Sequence, residues 1–469
     1  MRVLLTGATG FIGAAIARGL LAQGHELVCA VRQPDRFSLG PGRWRTVAVD
    51  FSAAPTASWW QAQLAGVDAV VNAVGILREQ PGQRFDDLHT RGPVALFEGC
   101  AAAGVSCVVQ ISALGADAGA RSAYHRSKKA ADDALRALPL DAVVVWPSLV
   151  YGPGGASAAL FNMLAVAPLL VLPQRGAMAV QPVHLDDVVA GVLALLHDPG
   201  SSNDRTAFAG ERADDHLSPL ATGGPTPLPG EPARPRTRSI AFVGPGSMSL
   251  RQYLAHLRRG LGSCAAQWVL PLPGALFRAG AAVAGRLPGS FLDTDTADML
   301  LRGNAAPAAD FTGLLGRAPR AAGTFIDATQ AALLRQQAVL SLWLPVLRLS
   351  LAALWVWTAA VSFGLYPVED SYQLLAQVGL TGTLATVALY GAAALDLALG
   401  ALTLFAPRRW RPAVWAGQLL LVAGYTALIT LFLPEYWLHP YGPISKNLPI
   451  MAAIALLWAL EPPRRERNR

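Results

Sequence analysis

The last third of the chain admits few folds. Leu349–Tyr366, Gly379–Ala406 and Ala413–Leu433 are apolar runs long enough to cross about 30 Å of hydrocarbon. No water satisfies backbone amides at that depth, so such runs form helices. A shorter run, Leu448–Leu460, spans only with its flank Gly442–Asn447 and otherwise lies in the interface. The predicted boundary separates residues 1–335 from an all-α, four-helix transmembrane region over 336–469. This apolar tail accounts for a composition of 53% hydrophobic and 15% charged residues, too apolar for an ordinary soluble enzyme.

The net charge of +7 has no basic block in the first half, which argues against nucleic acid as a partner. The positives flank the apolar runs instead. Arg408, Arg409 and Arg411 separate the second and third, and Arg464, Arg465, Arg467 and Arg469 follow the fourth. The other two loops carry Lys446 against Glu369, Asp370 and Glu435. The positive-inside rule then puts both termini in the cytoplasm. Arginine and alanine bias point to a GC-rich bacterial genome, and hence to the inner membrane. Trp410, Trp415, Tyr436 and Trp437 fall at span ends as interfacial anchors. Asp396, within the second run, is expected to face the bundle interior or a polar partner. The four cysteines, Cys29, Cys100, Cys107 and Cys264, form no CxxC pair and read as reduced core residues.

Residues 1–200 alternate strand and helix patterns. Strands are expected at Arg2–Thr6, Glu26–Arg32, Ala69–Ala73, Cys107–Ser112 and Ala142–Pro147, with helices such as Phe11–Gln23 and Pro93–Ala103 between them. That spacing predicts an α/β domain of Rossmann type with a doubly wound parallel sheet. Residues 200–239, rich in Pro, Gly and Ser, read as a surface insertion. Ile240–Ala332 reads as mostly helical, with an amphipathic stretch at Trp268–Leu287 that suits a bilayer surface or a pocket wall.

Thr6-Gly7-Ala8-Thr9-Gly10-Phe11-Ile12-Gly13 follows the first strand and opens the first helix. Glycines there let the backbone approach a pyrophosphate, and the helix N-terminus offers free N–H groups to it. Arg32, at the end of the second strand, suits a 2′-phosphate where an acid would suit a ribose hydroxyl, so NADP(H) is expected over NAD(H), with Arg36 in support. Asp50 ends the third strand within reach of an adenine amine. Asn72-Ala73-Val74-Gly75 closes the fourth strand with small residues that let a cofactor pass.

Only three lysines occur, and two are Lys128 and Lys129. Tyr124 and Lys128 stand one helical turn apart, on one face. An ammonium beside a phenol favours the phenolate, so Tyr124 is expected to exchange protons near neutral pH. Ser112, at a strand end, is placed to hold the same substrate oxygen. His184, Asp186 and Asp187 form a polar cluster without a second His or Cys set, which reads as a helix start rather than a metal site.

Together TGATGFIG, Asp50, NAVG, Ser112, Tyr124-x-x-x-Lys128, PSLVYGPGG and VQPVHLDDVV resemble the extended or atypical short-chain dehydrogenase/reductases. Within them the chain looks most similar to the group of the nucleotide-binding accessory subunit of respiratory complex I. The C-terminal runs resemble a DoxX-like membrane domain through WxW and HPYGPISKNLP at 439–449. The resemblance implies an NAD(P)-dependent oxidoreductase with Ser112, Tyr124 and Lys128 as catalytic residues. It also implies Lys128 on the nicotinamide ribose and Pro147 in the cofactor site. Departures exist: Asn72–Gly75 lacks the turn usual in sugar-nucleotide epimerases, and Trp146 stands where the branch often has arginine. A lipophilic carbonyl or quinone-like substrate fits the tether. A non-catalytic NADPH sensor or assembly factor, and a sugar-nucleotide epimerase or dehydratase, remain the alternatives.

Overall fold

The computed structural model describes residues 1–197, 237–263, 266–286, 293–440 and 442–461. The bulk of the expected insertion, Cys264 and the arginines after residue 461 lie outside these. Contacts divide the chain into two units, residues 1–338 and 339–469.

In the first unit the chain runs β1 (Arg2–Thr6), α1 (Phe11–Ala22), β2 (Glu26–Val31), β3 (Trp44–Ala48), α2 (Ala57–Gln63) and β4 (Ala69–Asn72). A π-turn (Asp86–Arg91) leads into α3 (Gly92–Ala103). Then follow β5 (Cys107–Ile111), α4 (Ala123–Ala137), β6 (Ala142–Pro147), β7 (Val150–Tyr151), α5 (Ala156–Val166) and β8 (Leu169–Pro173). Short strands β9 (Ala179–Val180) and β10 (Val183–His184) precede α6 (Leu185–His197). After it come β11 (Thr237–Phe242), β12 (Met248–Ser249), α7 (Leu250–Gly260), β13 (Trp268–Leu272), α8 (Gly274–Ala284), α9 (Thr294–Arg302) and α10 (Ala309–Leu315).

The main sheet has the order β11-β6-β5-β4-β1-β2-β3 and is parallel throughout. Both its faces are covered, which explains the near-continuous apolar strands. Ile16 and Leu20 of α1, Val188 and Val192 of α6 and Phe311 of α10 pack one face. Trp60 and Leu64 after Thr56 caps α2, Leu96 and Phe97 of α3, and Leu135 of α4 pack the other. The order reverses between β1 and β4, so a crevice opens at their carboxyl ends. The segment expected to be mostly helical carries α7 to α10, and also the strands β11, β12 and β13 that the sequence did not suggest. Among the described residues β11 pairs only with β6, and Ile240 and Phe242 are buried while Arg238 is exposed, which suits an edge strand. His184, Asp186 and Asp187 do open a helix. Asp187 is fully buried and binds Arg317 (2.6 Å) and the Arg320 N–H (2.7 Å), and no metal-ligand cluster occurs among the described residues.

Among the described residues, three helical stretches are long and apolar enough to cross a membrane: residues 328–365, which begin in the first unit, and 382–405 and 411–432 in the second. The first begins with α11 (Ala328–Ala360), which runs unbroken past residue 335. A connection read as a loop forms α12 (Val368–Gln377), followed by α13 (Gly382–Phe405), α14 (Arg411–Phe432) and α15 (Asn447–Ala459). At 1.5 Å per residue α15 reaches about 20 Å, short of the hydrocarbon thickness. The flank counted on to extend it, from Gly442, forms a turn instead. Four helices nevertheless pack together, through Leu351, Trp355, Leu399, Trp415, Val422, Ile454 and Leu457. Asn447 donates to the Thr426 hydroxyl (2.8 Å), and Glu461 accepts from Arg348 (2.6 Å) and Arg411 (3.3 Å). Those contacts make α15 antiparallel to α14 and return the chain to the Arg411 end. Asp396 is buried against the Thr358 hydroxyl, not against a cation. Lys446 is exposed. Gln418, fully buried, links Trp355 (3.0 Å) to Thr403 (2.9 Å).

Candidate functional site

The turn after β1 is built from backbone alone. Gly7 adopts φ +70°, and a β-carbon on it would lie 2.4 Å from the Ala73 carbonyl oxygen. One on Gly13 would lie 2.2 Å from the Gly7 carbonyl oxygen. Both contacts are impossible for any side chain, so α1 starts hard against the turn and against the loop after β4. Gly10 caps α1 without a side-chain acceptor, and the N–H groups of Phe11, Ile12 and Gly13 precede the first intrahelical donor, the Ala14 N–H that binds the Gly10 carbonyl. Thr9 and Gly10 are exposed. This cradle of open amides fits a dinucleotide pyrophosphate.

The side chains of two residues expected at the cofactor, Thr6 and Asn72, bond to each other. The Thr6 hydroxyl donates to Asn72 Oδ1 (2.5 Å), and Asn72 Nδ2 donates to Gln110 Oε1 (2.6 Å). All three are fully buried, so the side chains of Thr6 and Asn72 tie β1, β4 and β5 together. The even register of a parallel sheet puts them in one row across the three strands. Asp50 uses Oδ1 locally, accepting from the Ser52 N–H (2.9 Å) and hydroxyl (2.7 Å). Arg32 and Arg36 are exposed after β2, with no partner among the described residues. Pro147 is buried, and its carbonyl accepts from the Leu114 N–H (3.0 Å).

Ser122 caps α4 by accepting from the His125 N–H (3.1 Å), which fixes Tyr124 and Lys128 in its first turns. Lys128 is buried and donates to the carbonyls of Val74 (3.0 Å) and Ile111 (3.0 Å). It thus staples α4 to the ends of β4 and β5. A β-carbon on Gly75 would lie 3.2 Å from its Nζ. Burial pulls the Lys128 ammonium down to about 8. The phenol moves opposite to expectation. Burial, then the Asp132 carboxylate, pushes Tyr124 up to about 12. The ammonium's hydrogen bonds go to carbonyls rather than to the phenol, so desolvation outweighs its attraction. Lys129 pairs with Asp133 at the surface.

Ser112 also differs from expectation. It is buried, donates to Asp132 Oδ2 (2.6 Å) and lies outside the lining of the cleft beside Tyr124. Asp132, fully buried, also accepts from Trp146 Nε1 (3.2 Å), and its Oδ1 has no partner. Asp132 follows Lys128 by one helical turn, a spacing that could have flagged it. His89 gave no such signal. It is fully buried, accepts from the Ile76 N–H at Nε2 (3.0 Å) and meets the Ser127 hydroxyl at Nδ1 (2.9 Å). With Nε2 accepting, Nδ1 carries the proton, and Ser127 passes its own to the Tyr124 carbonyl (2.8 Å). Burial, with the Lys128 charge, drives His89 down to about 2, so it stays neutral.

Tyr124 is half-buried, its ring set edge-on to His89 (5.4 Å) and Phe85 (6.0 Å). It lines a cleft of about 610 Å³ with Leu77, Phe85 and Met299. The charged lining is Arg78 and Arg126 against Glu79, Asp86, Asp293 and Asp295.

The family described as NAD(P)H-binding matches residues 7–158, and the DoxX-like family matches residues 352–455. The ceramide reductase of Caulobacter vibrioides is 29% identical over 201 residues, which is 42% of this chain and 61% of that protein. The mitochondrial NADH dehydrogenase [ubiquinone] 1 alpha subcomplex subunit 9 of Arabidopsis thaliana is 29% identical, over 43% of this chain and 51% of that one. The chain thus spans between half and two thirds of these relatives' lengths. A nucleoside-diphosphate-sugar epimerase structure from Staphylococcus aureus superposes with TM-score 0.51 at 17% identity, over 70% of this chain and 99% of that one, and so shares the fold. The chain therefore joins an NAD(P)H-binding domain of Rossmann-type fold to a C-terminal DoxX-like domain.

Proposed function

We propose that this protein is a membrane-anchored reductase that uses NADPH to reduce the carbonyl of a lipophilic substrate at the cytoplasmic face. The observation that carries the reading is Tyr124: a phenol bound by no hydrogen bond among the described residues, fixed by Phe85 and His89 at the wall of a cleft. Reductase-named relatives support the reaction class.

The glycine turn and the N-terminus of α1 would hold the pyrophosphate, and Arg32 with Arg36 the 2′-phosphate. The nicotinamide, when bound, supplies a hydride to the carbonyl carbon. Tyr124 donates its proton to the carbonyl oxygen as negative charge develops there. A phenol near 12 holds its proton at neutral pH, as a donor must. Lys128 holds the loop after β4 in place and supplies positive charge beside the phenolate left behind. Four carboxylates against two arginines in the cleft disfavour the diphosphate of a sugar nucleotide and favour an uncharged substrate. The return of α15 to the Arg411 end supports termini on one side of the membrane.

The test is consumption of NADPH and of NADH by the purified full chain with lipid extracts, followed by mass spectrometry of the lipid product. Tyr124→Phe is expected to lower turnover by at least about 100-fold with NADPH affinity unchanged. Full turnover in that variant would remove the proton-donor role. NADH preferred over NADPH would remove the role of Arg32.

A further inference from the structure

An apolar face on the first unit has no protein partner among the described residues. β8 and β13 pair in parallel, with Trp268 opposite Leu169 and Leu270 opposite Val171. Strand alternation sends the odd residues of β8 outward while Leu170 and Leu172 are buried, at 2% and 5% exposure. The outward side chains are exposed far more than core residues: Trp268 73%, Leu169 48%, Val171 49% and Leu270 49%. α8 follows directly, and of its eleven residues only Ala281 is buried, while Leu276 and Val283 are each 59% exposed. These elements contain no carboxylate and one cation, Arg278. Exposed arginines flank them at Arg175 and Arg286.

We propose that this face of β8, β13 and α8 sits in the headgroup layer of the bilayer that the chain's own apolar helices cross. Exposed apolar side chains paired across β8 and β13, with those of α8 next in the chain, mark a contact surface. A lipid surface fits best on three counts. The chain continues from α8 into helices apolar enough to cross a membrane, so a bilayer is always within reach. The most exposed residue is a tryptophan, whose ring is amphipathic and favours the interface. Arg175 and Arg286 at the rim match anionic headgroups, while Arg278 is paired with Asp298 of α9 (2.7 Å). A lipid-borne substrate would then meet a domain already seated in its own phase.

The test uses the full chain in nanodiscs of phosphatidylcholine and phosphatidylglycerol. Leu270→Cys carries an environment-sensitive fluorophore, and Glu98→Cys, exposed on α3, carries the same label as a control. Nitroxide placed near the lipid headgroup is expected to quench the label at residue 270 several-fold more than aqueous iodide does, with the reverse at residue 98. Iodide quenching at residue 270 equal to that at 98 would overturn the proposal. So would shielding from both quenchers, which would mean that protein covers the face. Neither readout depends on turnover, so a failed activity assay leaves this test intact. A second label at Leu169→Cys repeats it should the first variant misfold.

Discussion

His89 carries a charge consequence away from the reacting atoms. The folded protein holds it neutral, with a pKa near 2 against 6.5 for a free histidine. The unfolded chain takes up a proton below 6.5 and the folded one does not, so stability falls as pH drops through that value. The loss from pH 7.5 to 5.5 is about 1.4 kcal/mol for this one group. Thermal transitions of the full chain in nanodiscs at those two pH values should show it, and His89→Gln should flatten the difference. An unchanged slope in that variant would mean that other groups set it. At this scale the sequence was only partly legible. Tyr124 and Lys128 stood out because their spacing is local. The bond between Thr6 and Asn72 depends on which row of a seven-stranded sheet each joins, and Ser112 depends on a carboxylate twenty residues away.

Among the elements, the contact of β1, the glycine turn and α1 sets the tolerance of the site. Gly13→Ala forces a β-carbon onto the Gly7 carbonyl. It should destabilise the first unit by about 1–3 kcal/mol and weaken NADPH binding in titration. An alanine variant that binds and melts like wild type would contradict the cradle. Most strands and helices of the Rossmann half were readable, because β1, β4 and β5 are buried on both faces and α1 and α3 are flanked by turn residues. Thr237–Phe242 was not readable, since it follows a Pro- and Gly-rich stretch and is a strand only through pairing with β6. Likewise Val368–Gln377, polar and preceded by Pro367, looks like a connection until Pro367 is seen to start a helix.

For the whole molecule, the decisive quantity is the number of crossings. Among the described residues three helices satisfy the length requirement and α15 does not, yet Glu461 meets Arg348 and Arg411. A fluorescent protein fused after Arg469 should therefore glow in the cytoplasm, and alkaline phosphatase fused there should stay inactive. The opposite pair of results would leave α15 as an interfacial helix and the chain with three crossings. Apolar length was legible from composition, but the ion pair that brings the chain back was not, because its members are separated by up to 113 residues.

The burial of Lys128 has a practical side. Residues 1–338 contain two lysines, and one is sealed behind the loops that follow β4 and β5. An acylating reagent at neutral pH meets only Lys129 and the α-amino group there. Lys129 is thus a native attachment point for a crosslinker on the helix that bears the tyrosine, and modification of its neighbour would report that the wall had opened.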